Sequence, residues 1–366
     1  MVSFEPSDEQ KLIRDTVAAF AREQVRPQAR PSDESGEIPS ALVQQGWELG
    51  LTQALVPEEF GGTGEAHSAI TSVLLIEELA WADLSIACHL LAPRLVVIPV
   101  VEAGTEAQRR AILPRYATTN FTAGTAAVVE PRWDFDLASL AVKALPRNGN
   151  FVLQGRKCFV PLAAEAEHIL VFAQLGDSGE VGAFLVERGT PGLRVVEREK
   201  NMGLKGLATY EVEFDQCTVP ADQRLGGPEG CDVKRLLNLQ RVALAAAAVG
   251  VARASFEYAR DYAKERKAFG VYIAQKQAIA FMLAEMAIEI DAARLLTWEA
   301  AWKLDRGEDA TREAVLAKQY AANMALMVAD RGVQILGGHG YIRDHLVELF
   351  LRNARGFATF EGLLTA

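Results

Sequence analysis

The hydrophobic period of this chain changes twice. Up to about residue 119 apolar residues recur every three or four positions. Leu12, Ile13, Val17, Phe20 and Ala21 place one face on a helix. Ser7-Asp8-Glu9-Gln10 ahead of them reads as a capping box, in which the serine hydroxyl takes an orphan amide and Gln10 reaches back. Pro57-Glu58-Glu59-Phe60-Gly61-Gly62-Thr63-Gly64 breaks the pattern. Helical spacing resumes from Ala69 to Ala80 and from Thr105 to Tyr116. Near Phe121 the period falls to two. Tyr210, Val212 and Phe214 alternate with Glu211, Glu213 and Asp215, which predicts a strand with one wet face. His168–Leu175 and Val181–Glu187 read as further strands on either side of Gly-Asp-Ser-Gly, and Asn148-Gly149 as a hairpin turn. A small antiparallel barrel or sandwich follows. From Cys231 the helical period returns over Asp232–Arg266, about 50 Å at 1.5 Å per residue, and then over Ala274–Arg306 and Thr311–Leu336. The slender centre of the first of these, Ala245 to Gly250, invites close approach of another helix at a bundle or subunit seam. The expected organisation is α+β and mainly α: helical over 1–119, β over 120–228, helical over 229–366.

Composition narrows the class. The 366 residues suffice for two or three cores, and 50% apolar with 23% charged residues is globular. A net charge of −10 argues against a nucleic-acid surface but leaves room for a local phosphate pocket. Cys88, Cys158, Cys217 and Cys231 have neither CxxC pairing nor matching histidines, so no metal site or disulfide framework is expected, and reduced thiols suit the cytoplasm. Met-Val-Ser-Phe-Glu-Pro has no leader pattern. The apolar run from Leu90 to Val101, broken by Arg94 and two prolines, is too short to span a membrane.

Three short motifs carry chemistry. Arg266 at a helix end offers a fork of donors suited to a diphosphate, and Phe269 a flat face; the plainer reading is a dipole-capping arginine and a core phenylalanine. Gly337 and Gly338 can bare backbone amides to a phosphate, or simply cap a helix. Glu361, between Phe360 and Gly362, is either a surface carboxylate near the end of the chain or a base. Enclosure by Phe357, Phe360 and Leu363 would raise its pKa toward the working range.

The order of these motifs, with Pro-Glu-Glu-Phe-Gly-Gly-x-Gly before them and Gln-Ile-x-Gly-Gly-x-Gly-Tyr among them, resembles the acyl-CoA dehydrogenases over nearly the whole chain. The resemblance implies an N-terminal helical domain, a middle antiparallel β-barrel domain and a C-terminal four-helix bundle. It implies FAD as cofactor, an acyl-CoA substrate, an electron-transfer flavoprotein as acceptor, and a homotetramer or a heterotetramer with a second dehydrogenase-like chain. Glu361 corresponds to the family's base. Arg266, Phe269, Gln277, Gln334, Gly337 and Gly338 correspond to residues binding the ADP half of an FAD seated mainly on a neighbouring subunit. Asn238, Arg241, Phe360 and Gly362 correspond to the acyl-CoA contacts. His339 reads as a turn residue. Gln240 stands where some members carry their base, and glutamine cannot serve as one. Arg94 would meet either an acidic or polar acyl tail, or a carboxylate or carbonyls of its own chain.

The flavin loop departs from the family pattern. After Val128, Val129-Glu130-Pro131-Arg132-Trp133-Asp134-Phe135-Asp136 stands where the family reads Thr-Glu-Pro-Gly-Ala-Gly-Ser-Asp, and Phe159-Val160-Pro161 where it reads Trp-Ile-Thr. Three side-chain hydroxyls are lost, at Val129, Phe135 and Pro161, leaving backbone amides of residues 127–129 and stacking by Phe159 to hold the ring. Leu363 replaces a threonine, and family members continue into a further helix. The alternatives are a subunit that completes a partner's FAD site, or a non-redox acyl-thioester-binding relative.

Overall fold

The structure is a computed structural model describing residues 5–176 and 178–366. The first four residues of the stretch read for a leader, and Asp177 of the Gly-Asp-Ser-Gly turn, lie outside the described residues. The N-terminal region holds α1 (Asp8–Phe20), α2 (Ala29–Ser35), α3 (Ser40–Glu48), α4 (Ala69–Ala82), α5 (Leu84–Leu91), α6 (Arg94–Ala103) and α7 (Glu106–Ile112). The Ser7–Gln10 capping box forms as expected. A second one, Thr105 with Gln108, starts α7. Gln108 also donates from Nε2 to the carbonyls of Asp222 and Arg224, both at 2.7 Å, and so ties the helical region to the end of the β region. At Gly62 a Cβ would lie 2.0 Å from the Val56 carbonyl, so the Gly-Gly turn admits no side chain there.

The middle region holds β1 (Gly124–Ala127), β2 (Lys143–Arg147), β3 (Asn150–Pro161), β4 (His168–Leu175), β5 (Val181–Glu187), β6 (Leu193–Arg198) and β7 (Thr209–Pro220). Asn148 and Gly149, at φ 50° and 77°, form the expected two-residue turn between β2 and β3. The sheet runs β1-β4-β2-β3-β7-β6, with β5 on β4. It is mixed, because β4 pairs parallel with both β1 and β2. The expectation of a purely antiparallel barrel is therefore corrected. Alternation reports which face of a strand is wet, not the direction of its neighbours.

The C-terminal region holds α8 (Val233–Glu265), the short hairpin β8 (Lys267–Ala268) and β9 (Val271–Tyr272), α9 (Gln277–Asp305), α10 (Thr311–Leu336), α11 (Gly338–Tyr341) and α12 (Val347–Ala354). Three long helices, not four, make the bundle among the described residues, and the eight-residue α12 packs against α8 and α10. The slender centre of α8 serves contacts within the chain. A Cβ on Gly250 would lie 2.4 Å from the Glu77 carbonyl of α4. One on Gly332 of α10 would lie 2.3 Å from Ser255 Oγ. Helix α8 is apolar and long enough to cross a membrane, but 78% of its most apolar window is buried inside the protein, so packing uses that apolarity. Contacts between residues 238 and 311, 255 and 332, and 262 and 339 show α8 and α10 to run parallel. Buried charges join the regions. Arg352 of α12 grips Asp33 of α2 with two bonds of 2.7 Å, and Arg253 and Arg294 both reach Glu77 of α4.

Candidate active site

The segment after α12 turns sharply because Gly356 lets it. A Cβ there would stand 1.8 Å from the Phe360 ring. Phe360 packs edge-on against Phe357, centroids 5.7 Å apart, and Leu363 is buried. Glu361 projects from this enclosure. Its Oε1 is ion-paired with Lys318 Nζ of α10, while Oε2 is buried without a hydrogen-bond partner among the described residues. The next residue, Gly362, has φ 70°, and a Cβ on it would lie 2.6 Å from Val128 Cγ2. The Glu-Gly turn thus leans directly on the loop read as flavin-binding. Beyond it the Ala366 amide donates to the Leu239 carbonyl at 3.2 Å, and the Ala366 carbonyl sits 2.9 Å from His67 Nε2. His67 is held by Glu102, which also takes Arg235 at 2.7 Å. Burial pushes the Glu102 carboxyl up, but its hydrogen bonds from His67 and Arg235 outweigh that and bring it down to about 2.

The loop expected to meet the flavin is tied to β3. Lys157 on β3, fully buried, donates to the Val128 carbonyl at 2.7 Å and to Glu130 at 3.1 Å. Glu130 also accepts the amides of Ala141 and Val142 at 2.7 and 2.8 Å. Burial pulls the Lys157 ammonium down to about 8, against the opposing pull of Glu130. The Val129 carbonyl takes the Cys158 amide at 2.9 Å. Phe159 is half-buried, with φ 53°, and its amide donates to Glu199 at 3.0 Å. Backbone at φ > 0 is unusual for a phenylalanine, and Glu199, itself bound by Thr209 at 2.7 Å, pins it. Trp133 points outward at 97% exposure, while Phe135 packs against the core.

The residues expected to meet an ADP group gather at the other end of the bundle. Arg266 caps α8, is exposed, and makes no ion pair among the described residues. Phe269 is no core residue: it is 93% exposed, at φ 55°, with Lys276 Nζ 5.8 Å from its ring centre. Gln277 begins α9, and Gln334 lies exposed in the last turn of α10. Gly337 and Gly338 face open space: a Cβ at either would meet nothing within 4 Å. The Tyr262 hydroxyl, 2.8 Å from His339 Nδ1, ties the ends of α8 and α11 together. His339 also stacks on His345 at 5.4 Å, so it braces this end rather than simply turning the chain. From Lys318 to Gln334 is about 24 Å of helix at 1.5 Å per residue. The residues expected to meet the flavin and those expected to meet an ADP group therefore lie at separate places on one copy.

Of the expected acyl-CoA contacts, Phe360 and Gly362 flank Glu361 in the chain. Asn238 is buried and engaged, its Nδ2 donating to Thr311 at 2.9 Å and its Oδ1 accepting from Arg241 at 2.9 Å. Arg241 is half-buried and makes no salt bridge among the described residues. Gln240 is buried, its Oε1 unpartnered among the described residues. Sequence reasoning passed over Lys318, Lys157, Glu130 and Glu199. A lysine at an inward position of an alternating strand, as at 157, and one beside the small-residue stripe Ala314, Ala317 and Ala321, as at 318, were the available signals.

The donors fit a dinucleotide. An exposed aromatic, an arginine without an ion pair and open glycines suit a phosphate-bearing ligand at one end, and a pinned backbone loop beside a buried carboxylate suits a ring at the other. Fold and site together suit a flavoprotein oxidoreductase. The chain matches the acyl-CoA dehydrogenase N-terminal domain family over residues 7–120, the middle domain family over 125–217 and the C-terminal domain family over 231–363. It is 36% identical to an acyl-CoA dehydrogenase of Bacillus subtilis (strain 168), covering 97% of this chain and 95% of that one. Its fold superposes with a TM-score of 0.89 on butyryl-CoA dehydrogenase from Megasphaera elsdenii, at 31% identity over 99% of this chain and 96% of that one. The score is also 0.89 for a chain in a structure of the electron transferring flavoprotein of Acidaminococcus fermentans, at 32% identity over 99% and 96%. An FAD complex of PigA matches equally, 0.89 at 26% identity over 99% and 96%. The chain belongs to the acyl-CoA dehydrogenase family, whose cofactor is FAD.

Proposed function

We propose that this enzyme desaturates an acyl-CoA thioester between Cα and Cβ, giving a 2-enoyl-CoA, with Glu361 taking the α-proton. The observation that carries the reading is the packing of Gly362 against Val128, which sets the base beside the flavin loop. FAD, when bound, supplies the hydride-accepting ring. Val128, Val129 and Phe159 would hold its flavin end through backbone and stacking. Arg266, Phe269, Gln277, Gln334, Gly337 and Gly338 would hold the ADP end of a neighbouring copy's cofactor in a tetramer. Phe357, Phe360 and Leu363 exclude water from the carboxylate, and Lys318 steadies its negative charge until the proton arrives. Arg241 orients the thioester, and an electron-transfer flavoprotein reoxidises the enzyme. Glu361→Gln, purified with its FAD, should lose roughly 10²–10⁴-fold in flavin bleaching by acyl-CoA while keeping its bound flavin. Bleaching at the wild-type rate would remove Glu361 from the role.

The loss of side-chain hydroxyls at Val129 and Pro161 favours a second reading, a heteromeric enzyme in which this chain mainly completes a partner's site. The FAD stoichiometry of the chain purified alone separates the two. One FAD per chain supports the homomer, and a clear deficit restored by a second dehydrogenase-like chain supports the heteromer. The retained carboxylate and family membership speak against a non-redox relative.

A further inference from the structure

Arg94, the first residue of α6, is 2% exposed. Among the described residues its one side-chain hydrogen bond runs from a terminal nitrogen to Ser72 Oγ on α4, at 2.5 Å. Ser72 is itself fixed, its hydroxyl donating to the Ser68 carbonyl at 2.9 Å. Nε and the other terminal nitrogen of Arg94 are buried and unpartnered among the described residues. Burial lowers the guanidinium to about 10, so it remains protonated at neutral pH. Arg94 lines a cavity of about 270 Å³ between α1, α4 and residues 49–55, walled by Leu12, Ile13, Val17, Leu51, Leu55 and Leu75.

No described group lining that chamber answers the charge. The Thr16 hydroxyl donates to the Leu12 carbonyl, that of Ser68 to Asp305, and that of Thr71 accepts from Gln10. Glu65, the carboxylate on the wall, is exposed and makes no ion pair with Arg94. Neither plain expectation for Arg94, a carboxylate or a set of carbonyls from its own chain, is met among the described residues. A buried cation with free donors beside an apolar chamber is complementary to an anion with an apolar body. The volume lies just under the roughly 300–1,000 Å³ of drug-sized pockets, which points to a small ligand.

We propose that Arg94 and this chamber form a carboxylate-binding site inside the N-terminal helical region, taking one carboxylate carried on a short aliphatic chain. That carboxylate belongs either to a free acid or to the far end of an acyl thioester; only the second source rests on the activity proposed above.

Calorimetric titration of the FAD-loaded enzyme with hexanoate, hexan-1-ol and hexylamine tests the first source. Hexanoate should bind at least tenfold more tightly than the alcohol or amine, and Arg94→Met should abolish that preference. Ala54→Phe, which fills the chamber and keeps the arginine, should abolish it as well and carries the test if Arg94→Met does not fold. Steady-state turnover of adipyl-CoA against hexanoyl-CoA tests the second. Wild type should favour adipyl-CoA at least tenfold in kcat/KM, and both variants should lose this through KM with hexanoyl-CoA turnover unchanged. Hexanoyl-CoA turnover is itself the control for the proposed reaction. Either preference, lost in the variants, supports the site. Hexanoate binding no better than hexan-1-ol, together with equal use of the two thioesters or a preference that survives in the variants, overturns it.

Discussion

The buried Glu130–Lys157 pair makes a sharp test of how the loop proposed to meet the flavin is held. Lys157→Met removes an ammonium that bonds the Val128 carbonyl and Glu130, but leaves Glu130 its two amides and Arg132, whose Nε lies 3.3 Å away. The expected loss is therefore at the lower end of the range for breaking a buried ion pair, about 3 kcal/mol. Glu130→Leu does more harm. It strands a fully buried ammonium with one carbonyl and orphans the amides of Ala141 and Val142, so about 5 kcal/mol is expected. The double variant removes both charges and should recover at least about 2 kcal/mol of the summed losses. Because burial lowers Lys157 to about 8 from an ordinary 10.5, the unfolded chain binds more protons between those values, and wild-type stability gains from this group as pH rises through that window. Without Glu130 the same burial acts unopposed, so the window opens lower, and the Glu130→Leu deficit should shrink between pH 7 and 9. Urea unfolding of all four proteins, with FAD content measured alongside, decides the matter. Additivity within about 0.5 kcal/mol would refute a coupled buried pair. Full FAD retention in Lys157→Met would show that the pair does not position the loop.

Gly362→Ala combines φ 70° with a contact 2.6 Å from Val128 Cγ2, so it should destabilise by roughly 1–3 kcal/mol and lower kcat more than KM, read by urea unfolding and steady-state kinetics. Phe269→Ala, at a 93% exposed position, should leave the stability of the isolated chain within about 0.5 kcal/mol but reduce FAD per chain in the assembly, measured by absorbance after gel filtration. Glu102 is held at about 2 against an ordinary 4.5, so its contribution is present above pH 4.5 and is lost as pH falls from there toward 2. The Tm gap between wild type and Glu102→Gln should accordingly close over that interval in a pH series of melts, and a constant gap would contradict the assignment.

Much of the fold was legible because local rules and tertiary outcome agree. The capping box at Ser7, the Asn148-Gly149 turn, the bounds of α10 and the strands β4 and β5 depend on near neighbours in sequence, and those neighbours are present in the string. Motif order singled out Glu361, Phe269 and the paired glycines as candidates, whose roles belong to the proposed function. Sequence could not supply which strands run parallel, because the pairing of β4 with β1 and β2 is made across the chain and alternation has no direction. Nor could it say that the seam along Ala245–Gly250 belongs to α4 of the same chain, since small residues permit an approach without choosing the partner. The ion pair of Lys318 with Glu361 and the unanswered charge of Arg94 are the clearest cases. Sequence identifies a charged side chain, but only the folded packing decides whether a countercharge reaches it, because desolvation and pairing depend on neighbours far away in the chain.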